Sequence, residues 1–191
     1  MIGIYKIKIV ENEHLYGPGK RLLIFLKGCT IHCKGCVNKH LWSFEDANFM
    51  SCNDVLNIAI KENVEGITLH GGEPLDQACK LVELVKLIKD NNMSVILFTG
   101  YKKKELNKSK IKVWNMADIV ISGRFEIDKI NVNLQFRGSN NQRIYTHKGK
   151  YKNYKVNDGK TSTILTLDNE GNLDINGFLT SDILKIIKQG G

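Results

Sequence analysis

One arrangement recurs along the first two-thirds of the chain: an apolar run, a loop containing glycine, and a stretch with helical spacing of apolar residues. Four apolar runs are typical of strands, namely 21–27, 65–70, 94–99 and 118–121. Helices are expected from Ser51, over 81–88, and, short and solvated, in the lysine-rich stretch after Tyr101. Such alternation predicts an α/β fold with parallel strands. The 191 residues are fewer than the roughly 250 of a full eight-unit barrel, which favours a partial (β/α) barrel.

The last third of the chain has a different pattern. Residues 134–145 are expected to be extended, and 163–174 are expected to form a hairpin that turns near Asn169, Glu170 and Gly171. A terminal helix is expected over about 181–188. Together with the length, this predicts a single domain over 1–191 that ends in a hairpin and helix over about 160–191.

Charge and composition narrow the classes of function only slightly. The apolar fraction of 42% and the charged fraction of 25% are those of an ordinary globular protein. The net charge of +8 would suit nucleic acid, an anionic cofactor or an acidic protein, but the lysines are scattered without interleaved aromatic residues. A nucleic-acid partner is therefore not expected. No leader pattern or membrane-length apolar run is present, so we expect a cytoplasmic protein without membrane contact.

The loop after the first apolar run, 28–38, carries three cysteines in C-x3-C-x2-C spacing: Cys29, Cys33 and Cys36. Five cysteines in all, with three so close together, fit a disulfide framework poorly. Three thiolates on one loop suit three irons of a 4Fe-4S cluster. The fourth iron would stay open for a ligand such as the amino and carboxylate groups of S-adenosylmethionine.

A zinc site is the alternative interpretation of these cysteines, and it would need a fourth ligand. The candidates are His32, His40, Cys52 and Cys79. None of them gives the regular spacing of a zinc finger, so the iron–sulfur interpretation is favoured. Cys52 and Cys79 lie in predicted helices and are expected to be ordinary core or surface residues.

The second apolar run is followed by Gly71-Gly72-Glu73-Pro74, one strand–helix unit after the cysteine loop. This pairing resembles the signature of the radical S-adenosylmethionine superfamily. The resemblance implies a 4Fe-4S cluster on the three cysteines and S-adenosylmethionine as second cofactor. It also implies that segment 71–74 binds the cofactor's amino group through backbone groups of Gly71 and Gly72 and the carboxylate of Glu73. Thr99 and Ser122, at the ends of the third and fourth strands, are expected as further contacts.

Three more segments carry a narrower resemblance: Gly17-Pro18-Gly19-Lys20-Arg21, the stretch from Gly28 through Asn38 to Trp42, and Arg137-Gly138-Ser139-Asn140-Asn141-Gln142-Arg143. They are similar to the activases of glycyl radical enzymes, in particular those acting on anaerobic ribonucleotide reductase. This implies hydrogen abstraction from a glycine of a partner enzyme, with a flavodoxin- or ferredoxin-type electron donor. Arg21, Arg137 and Arg143 are then expected near the open face, where they would hold the cofactor's carboxylate or dock the partner.

Two positions depart from the family pattern. Gly35 stands where many superfamily members have an aromatic residue, although the reductase activators resemble this chain there. Ser122-Gly123-Arg124-Phe125 stands where those activators usually read Asp-Gly-Pro-Phe, which bears on the substrate. The alternatives are a radical enzyme acting on a small molecule, like 7-carboxy-7-deazaguanine synthase, or on a peptide. A different class is a metal-stabilised nucleic-acid-binding module.

Overall fold

The computed structural model describes residues 1–147, 149–159, 163–167 and 173–177, and every structural statement below concerns these residues. The strands are β1 (Ile2–Val10), β2 (Arg21–Leu26), β3 (Asn48–Met50), β4 (Gly66–Gly71), β5 (Ser94–Thr99), β6 (Ile119–Ser122), β7 (Arg143–Thr146), β8 (Thr163–Leu167) and β9 (Leu173–Gly177). The α-helices are α1 (Glu13–Tyr16), α2 (Cys52–Lys61), α3 (Ala78–Asp90) and α4 (Lys108–Met116). Short 3-10 helices span Lys39–Leu41, Pro74–Gln77, Lys103–Glu105 and Ile127–Lys129.

Seven strands form one sheet in the order β3-β1-β2-β4-β5-β6-β7. Strands β2, β4, β5 and β6 pair in parallel, with α2, α3 and α4 in the connections. This confirms the predicted α/β fold, a partial barrel built on four parallel strands. Strands β1, β3 and β7 pair antiparallel at the two sides of the parallel group. The sequence pattern did not predict β1 or β3.

The helices after the first two strands form for the predicted reasons. Ser51 and Asp54 make a reciprocal capping box, in which the Asp54 backbone N–H donates to the Ser51 hydroxyl oxygen over 3.1 Å. On α3 the apolar face is fully buried, at Leu81, Leu84, Val85 and Ile88. The expectation of a short solvated helix after Tyr101 was wrong in part, because α4 buries Val113 and Trp114 completely in the core.

The two faces of the sheet differ in what covers them. The outer face, defined as the side packed against α2, α3 and α4, carries one large apolar cluster. Its strand residues include Leu22, Ile24, Leu26, Ile67, Leu69, Val95, Leu97 and Val120. The inner face carries the alternate residues of the same strands, because successive side chains of a strand point to opposite faces.

Residues 131–147 and 149–159 cover the inner face. Phe136, Tyr151 and Tyr154 pack with Ile96 and Phe98 of β5 in a second, smaller cluster. Most of this segment is irregular, so the expected extended stretch over 134–145 was wrong for its first part. Only the strand β7 is regular there, and its backbone pairs with β6.

Strands β8 and β9 pair antiparallel from Thr163 opposite Gly177 to Leu167 opposite Leu173, which confirms the predicted hairpin. The predicted turn at 169–171 and the predicted helix over 181–188 lie outside the described residues. Among the described helices, none has both the length and the apolar character that a membrane crossing requires.

Candidate functional site

The cysteine loop begins where β2 ends and is fixed by backbone hydrogen bonds. The Gly28 N–H donates to the Leu41 carbonyl over 2.8 Å, and the Cys29 N–H donates to the Trp42 carbonyl over 3.0 Å. Gly28 has a φ of +91°, and a Cβ built there would lie 2.2 Å from the Phe44 ring. Glycine is therefore required at the point where the chain leaves the strand and turns into the loop.

The three cysteines of the loop are free thiols. Cys29 is buried, whereas Cys33 and Cys36 are half-buried, and the Cys36 N–H donates to the Cys33 carbonyl over 3.1 Å. Burial raises the pKa of the Cys29 and Cys33 thiols, and at Cys33 a hydrogen bond from the Phe125 backbone N–H opposes this rise in pKa.

The donor set fits a cubane cluster, because it offers three soft sulfur ligands on one loop. Within the described part of the chain, no three His, Cys, Asp or Glu side chains are grouped to hold one metal ion. Cubane thiolates bind different irons and need not converge on one ion. Of the zinc candidates, His32 stacks on Trp42 at 4.4 Å between ring centroids. Cys52 and Cys79 lie on α2 and α3, as predicted.

The Gly-Gly-Glu-Pro segment lies directly against the cysteine loop. The Gly72 N–H donates to the Leu26 carbonyl over 2.9 Å, and the Glu73 N–H donates to the Gly28 carbonyl over 2.8 Å. A Cβ at Gly72 would lie 2.2 Å from the Gly28 carbonyl oxygen, so only glycine allows this approach. The two motifs that the sequence paired are thus in contact at the carboxyl ends of β2 and β4.

The Glu73 carboxylate is buried among hydrogen-bond donors of the protein. It accepts from the Leu75 N–H over 2.9 Å, the Thr99 hydroxyl over 2.7 Å and the Gly100 N–H over 2.7 Å. Burial raises its pKa to about 7, and these three donors oppose the rise. Glu73 therefore joins the ends of β4 and β5, while Pro74 beside it begins a short 3-10 helix. Its role toward the cofactor stays a prediction.

The other predicted contact residues also have partners inside the protein. The Ser122 hydroxyl donates to the Tyr101 carbonyl over 2.9 Å, and Arg137 Nη2 donates to both carboxylate oxygens of Asp158 over 2.6 Å each. Arg143 is exposed on β7 opposite Ser122. Cofactor or partner contacts by Thr99, Ser122 and Arg137 remain predictions.

Arg21 requires a correction, because it does not lie near the open face. It begins β2, whereas the cysteine loop follows the end of that strand, and its side chain is fully buried. Its guanidinium donates to the Thr68 and Ser94 hydroxyls over 3.0 and 2.7 Å. It donates as well to the carbonyls of Pro18, Ile67 and Ser94. The motif 17–21 thus anchors the inner face at the end of β2 opposite to the site.

The motif 137–143 supports the loop after β6. Gln142 donates from its amide nitrogen to the Gly123 carbonyl over 2.9 Å, and Asn141 donates to the Arg124 carbonyl over 2.8 Å. The buried Ser139 hydroxyl oxygen accepts from the Glu126 N–H over 3.2 Å. Three side chains of the motif, those of Ser139, Asn141 and Gln142, thus bond the backbone of residues 123–126.

This supported loop reaches the cysteines. The Phe125 backbone lowers the pKa of the Cys33 thiol against the effect of burial, and a Cβ at Gly35 would lie 3.0 Å from the Ile127 side chain, so residues 125–127 lie beside the cysteine loop. Phe125 belongs to the segment where the chain departs from the family pattern. The sequence of motif 137–143 did not indicate that it supports this loop, since the contacts join residues that are distant along the chain.

Three polar residues near the cysteine loop were also missed: Asp76, Tyr101 and Lys110. The Asp76 carboxylate accepts hydrogen bonds from Thr30, which directly follows Cys29. The available signals were the position of Asp76 two residues after Pro74 and that of Tyr101 two residues after Thr99. Neither position indicates which residue the side chain bonds, because each hydrogen bond joins residues at least 25 positions apart.

Residues 15–145 match the family model described as a 4Fe-4S single cluster domain. An anaerobic ribonucleoside-triphosphate reductase-activating protein from Pasteurella multocida is 35% identical over 152 residues, which are 73% of this chain and 95% of the relative. Proteins of the same name from Escherichia coli K12 and enterobacteria phage T4 are 31% and 30% identical, over 74% and 73% of this chain and 94% and 92% of their own lengths. Among solved structures, QueE from Escherichia coli is similar over 52% of each chain, with a TM-score of 0.46 and 22% identity. The chain therefore belongs to the family of anaerobic ribonucleoside-triphosphate reductase-activating proteins, which confirms the family resemblance of its cysteine loop and accompanying motifs.

Proposed function

We propose that this chain is a radical S-adenosylmethionine enzyme that activates a glycyl radical enzyme, namely an anaerobic ribonucleoside-triphosphate reductase. The observation that carries the proposal is the contact between the cysteine loop and segment 71–74 at the carboxyl ends of the parallel strands. Family membership supports the same function, since the relatives bear the name of reductase activators.

In this proposal Cys29, Cys33 and Cys36 bind a 4Fe-4S cluster and leave one iron for S-adenosylmethionine. When bound, the reduced cluster supplies the electron that cleaves the cofactor to methionine and a 5′-deoxyadenosyl radical, which takes hydrogen from a glycine Cα of the partner. The protein's own contribution is geometric. It binds both cofactors at one edge of the sheet and leaves that edge open to the partner.

Segment 71–74 is proposed to bind the amino end of S-adenosylmethionine through backbone groups of Gly71 and Gly72. The structure modifies the expected role of Glu73, whose carboxylate already has three protein donors. A carboxylate offers about four acceptor sites, so one site remains for a cofactor ammonium. Thr99 orients Glu73 in this arrangement, and Ser122 and Arg137 are proposed as outer contacts.

The remaining functional assignments rest on charge and family. A flavodoxin- or ferredoxin-type protein is proposed as electron donor, and the net charge of +8 would favour docking of an acidic protein. We also propose a cytoplasmic location and a single domain over 1–191. A reducing compartment suits three free thiols on one loop.

Anaerobic reconstitution tests the cluster assignment. The wild-type protein is expected to bind about four irons per chain, since three thiolates on one loop suit a single cubane. The variant with Cys29, Cys33 and Cys36 all replaced by alanine should bind none. Cys79→Ala is the matched control, because this exposed thiol lies on α3. Full iron content in the triple variant would overturn the assignment.

The partner is tested by electron paramagnetic resonance. Reduced enzyme, S-adenosylmethionine and the reductase are mixed, and the doublet of a glycyl radical is expected on the reductase. A reductase with alanine at its radical glycine serves as control. Absence of the doublet, together with 5′-deoxyadenosine formation that depends on a small molecule or a peptide, would overturn the proposal. It would favour a radical enzyme that acts on that small molecule or peptide.

A further inference from the structure

The residue that follows the first cysteine is bound by a carboxylate from a different strand connection. The Thr30 backbone N–H donates to Asp76 Oδ2 over 2.7 Å, and the Thr30 hydroxyl donates to the same oxygen over 2.9 Å. Asp76 lies on the 3-10 helix Pro74–Gln77, directly after segment 71–74. One carboxylate oxygen thus fixes both the backbone and the side chain beside Cys29.

The second oxygen of Asp76 is bound from two further elements. Asp76 Oδ1 accepts from the Tyr101 hydroxyl over 2.7 Å and from Lys110 Nζ of α4 over 3.3 Å. The Tyr101 hydroxyl is also 3.1 Å from Thr30 Oγ1, and Lys110 Nζ lies 3.5 Å from the centroid of the Tyr101 ring. The Asp76 side chain is only 5% exposed. Its charge is therefore partly shielded from water. Hydrogen bonds to a charged group are stronger in such surroundings than in water.

The elements in this network meet where the proposed chemistry takes place. Thr30 follows β2, Asp76 follows β4, Tyr101 follows β5, and the Ser122 hydroxyl at the end of β6 donates to the Tyr101 carbonyl. The network consequently joins the ends of all four parallel strands. Thr30 itself is exposed and lies on a loop, so burial does not hold it in place. Its hydrogen bonds to Asp76 do.

We propose that Asp76 is a positioning residue for the cluster. Asp76 holds the backbone next to Cys29, and Tyr101 and Lys110 hold Asp76 in place. The inference rests on the proposed function, because it assumes that Cys29 binds iron. The alternative is that the network only stabilises the fold. In that case its loss would lower stability without changing how the loop holds iron.

The test uses reconstituted full-length protein with Asp76→Asn. An asparagine has an amide nitrogen, a donor, in place of one carboxylate oxygen. In one orientation this nitrogen faces the donors of Thr30, and in the other it faces the donors of Tyr101 and Lys110, so one set of hydrogen bonds is lost in each case. Losing a hydrogen bond to a charged group is expected to accelerate iron release to a chelator by about tenfold. The electron paramagnetic resonance spectrum of the reduced cluster should change as well. Asp54→Asn is the matched control, because this carboxylate caps α2.

A second pair of variants keeps the inference testable if Asp76→Asn fails to fold by circular dichroism. Thr30→Val removes the hydroxyl and keeps the backbone N–H, so a smaller acceleration of iron release is expected. Thr30→Ser restores the hydroxyl and should restore the wild-type rate. Wild-type rates and spectra in both Asp76→Asn and Thr30→Val, or effects no larger than those of Asp54→Asn, would overturn the inference. Failure of the wild-type protein to bind iron would instead overturn the proposed function.

Discussion

The outer and inner faces of the same parallel strands are buried by different kinds of contact. On the outer face, apolar residues of β2, β4, β5 and β6 pack against three regular helices. The inner face carries Arg21, Thr68, His70 and Ser94 among its apolar residues and is covered by residues 131–147 and 149–159, most of which are irregular. Apolar packing needs only matching shape and area, whereas each buried polar group needs a specific partner.

The difference shows where this family's motifs act. Motif 17–21 supplies the buried arginine of the inner face, and motif 137–143 supports the loop that reaches Cys33. The outer face carries none of these segments. Substitutions on the two faces should therefore differ in kind: the outer face sets stability, and the inner face together with its carboxyl edge also sets the geometry of the site.

The largest effect is expected for Arg21→Met, which tests whether the inner face depends on its buried charge. The substitution leaves hydroxyl and carbonyl partners on β4 and β5 without a donor. Each buried acceptor left unsatisfied costs about 1–3 kcal/mol, so losing this set of bonds should cost about 3–5 kcal/mol in the free energy of unfolding. Urea unfolding of the iron-free protein measures it. Lys20→Met, beside it in sequence and partly exposed, should cost less than about 1 kcal/mol.

Leu84→Ala probes the outer face and should have a slightly smaller effect. Leu84 is fully buried on α3, so truncation should cost about 2–5 kcal/mol in the free energy of unfolding. The cavity lies among apolar residues of the outer face. Iron content and the paramagnetic spectrum of the reduced cluster are therefore expected to match wild type below the unfolding temperature. A changed spectrum would contradict the separation of the two faces.

Gln142→Ala should cost less in stability but act on the site. Its amide bonds the Gly123 carbonyl and the N–H groups of Gly138 and Ser139. Losing these bonds should cost about 1–3 kcal/mol. Because residues 123–126 reach Cys33, the cluster spectrum should also change. An unchanged spectrum, with the stability loss present, would show that the loop keeps its position without Gln142.

The smallest effect is a difference in pH dependence at His70 on the inner face. Packing among Tyr16, Phe25 and Phe98 removes water and lowers the pKa of His70 to about 4. Between this value and about 6.5 the unfolded chain binds a proton that the folded protein does not. Stability must then fall as pH decreases through that window, by at most about 1.4 kcal/mol per pH unit.

Urea unfolding of wild type and His70→Gln between pH 7.5 and 5.5 measures this contribution. The variant should lose less stability over the same range. Glu73, whose pKa is raised to about 7, contributes the opposite slope between about 4.5 and 7. That contribution is present in both proteins and cancels in the comparison. Equal slopes would mean that His70 is hydrated in the folded protein.

The sequence by itself determined the parallel strands, the helix faces and the pairing of the two cofactor motifs. These features are local: the spacing of Leu81, Leu84, Val85 and Ile88 predicts a buried helix face. Likewise, the order of the cysteine loop and segment 71–74 places both at the carboxyl edge of a parallel sheet. Hydrophobic periodicity and chain order carry this information without knowledge of any distant contact.

Only the tertiary structure decided which polar side chains serve the site and which serve the fold. Arg21 was expected near the open face but is buried, and the position of Asp76 after Pro74 did not indicate that it bonds the residue after Cys29. A polar side chain can form hydrogen bonds in many surroundings. Which partner it has depends on the donors and acceptors that folding brings close to it. Arg21 meets Ser94 across 73 residues, and Asp76 meets Thr30 across 46. No local pattern encodes such pairs, because their geometry exists only after the strands are assembled.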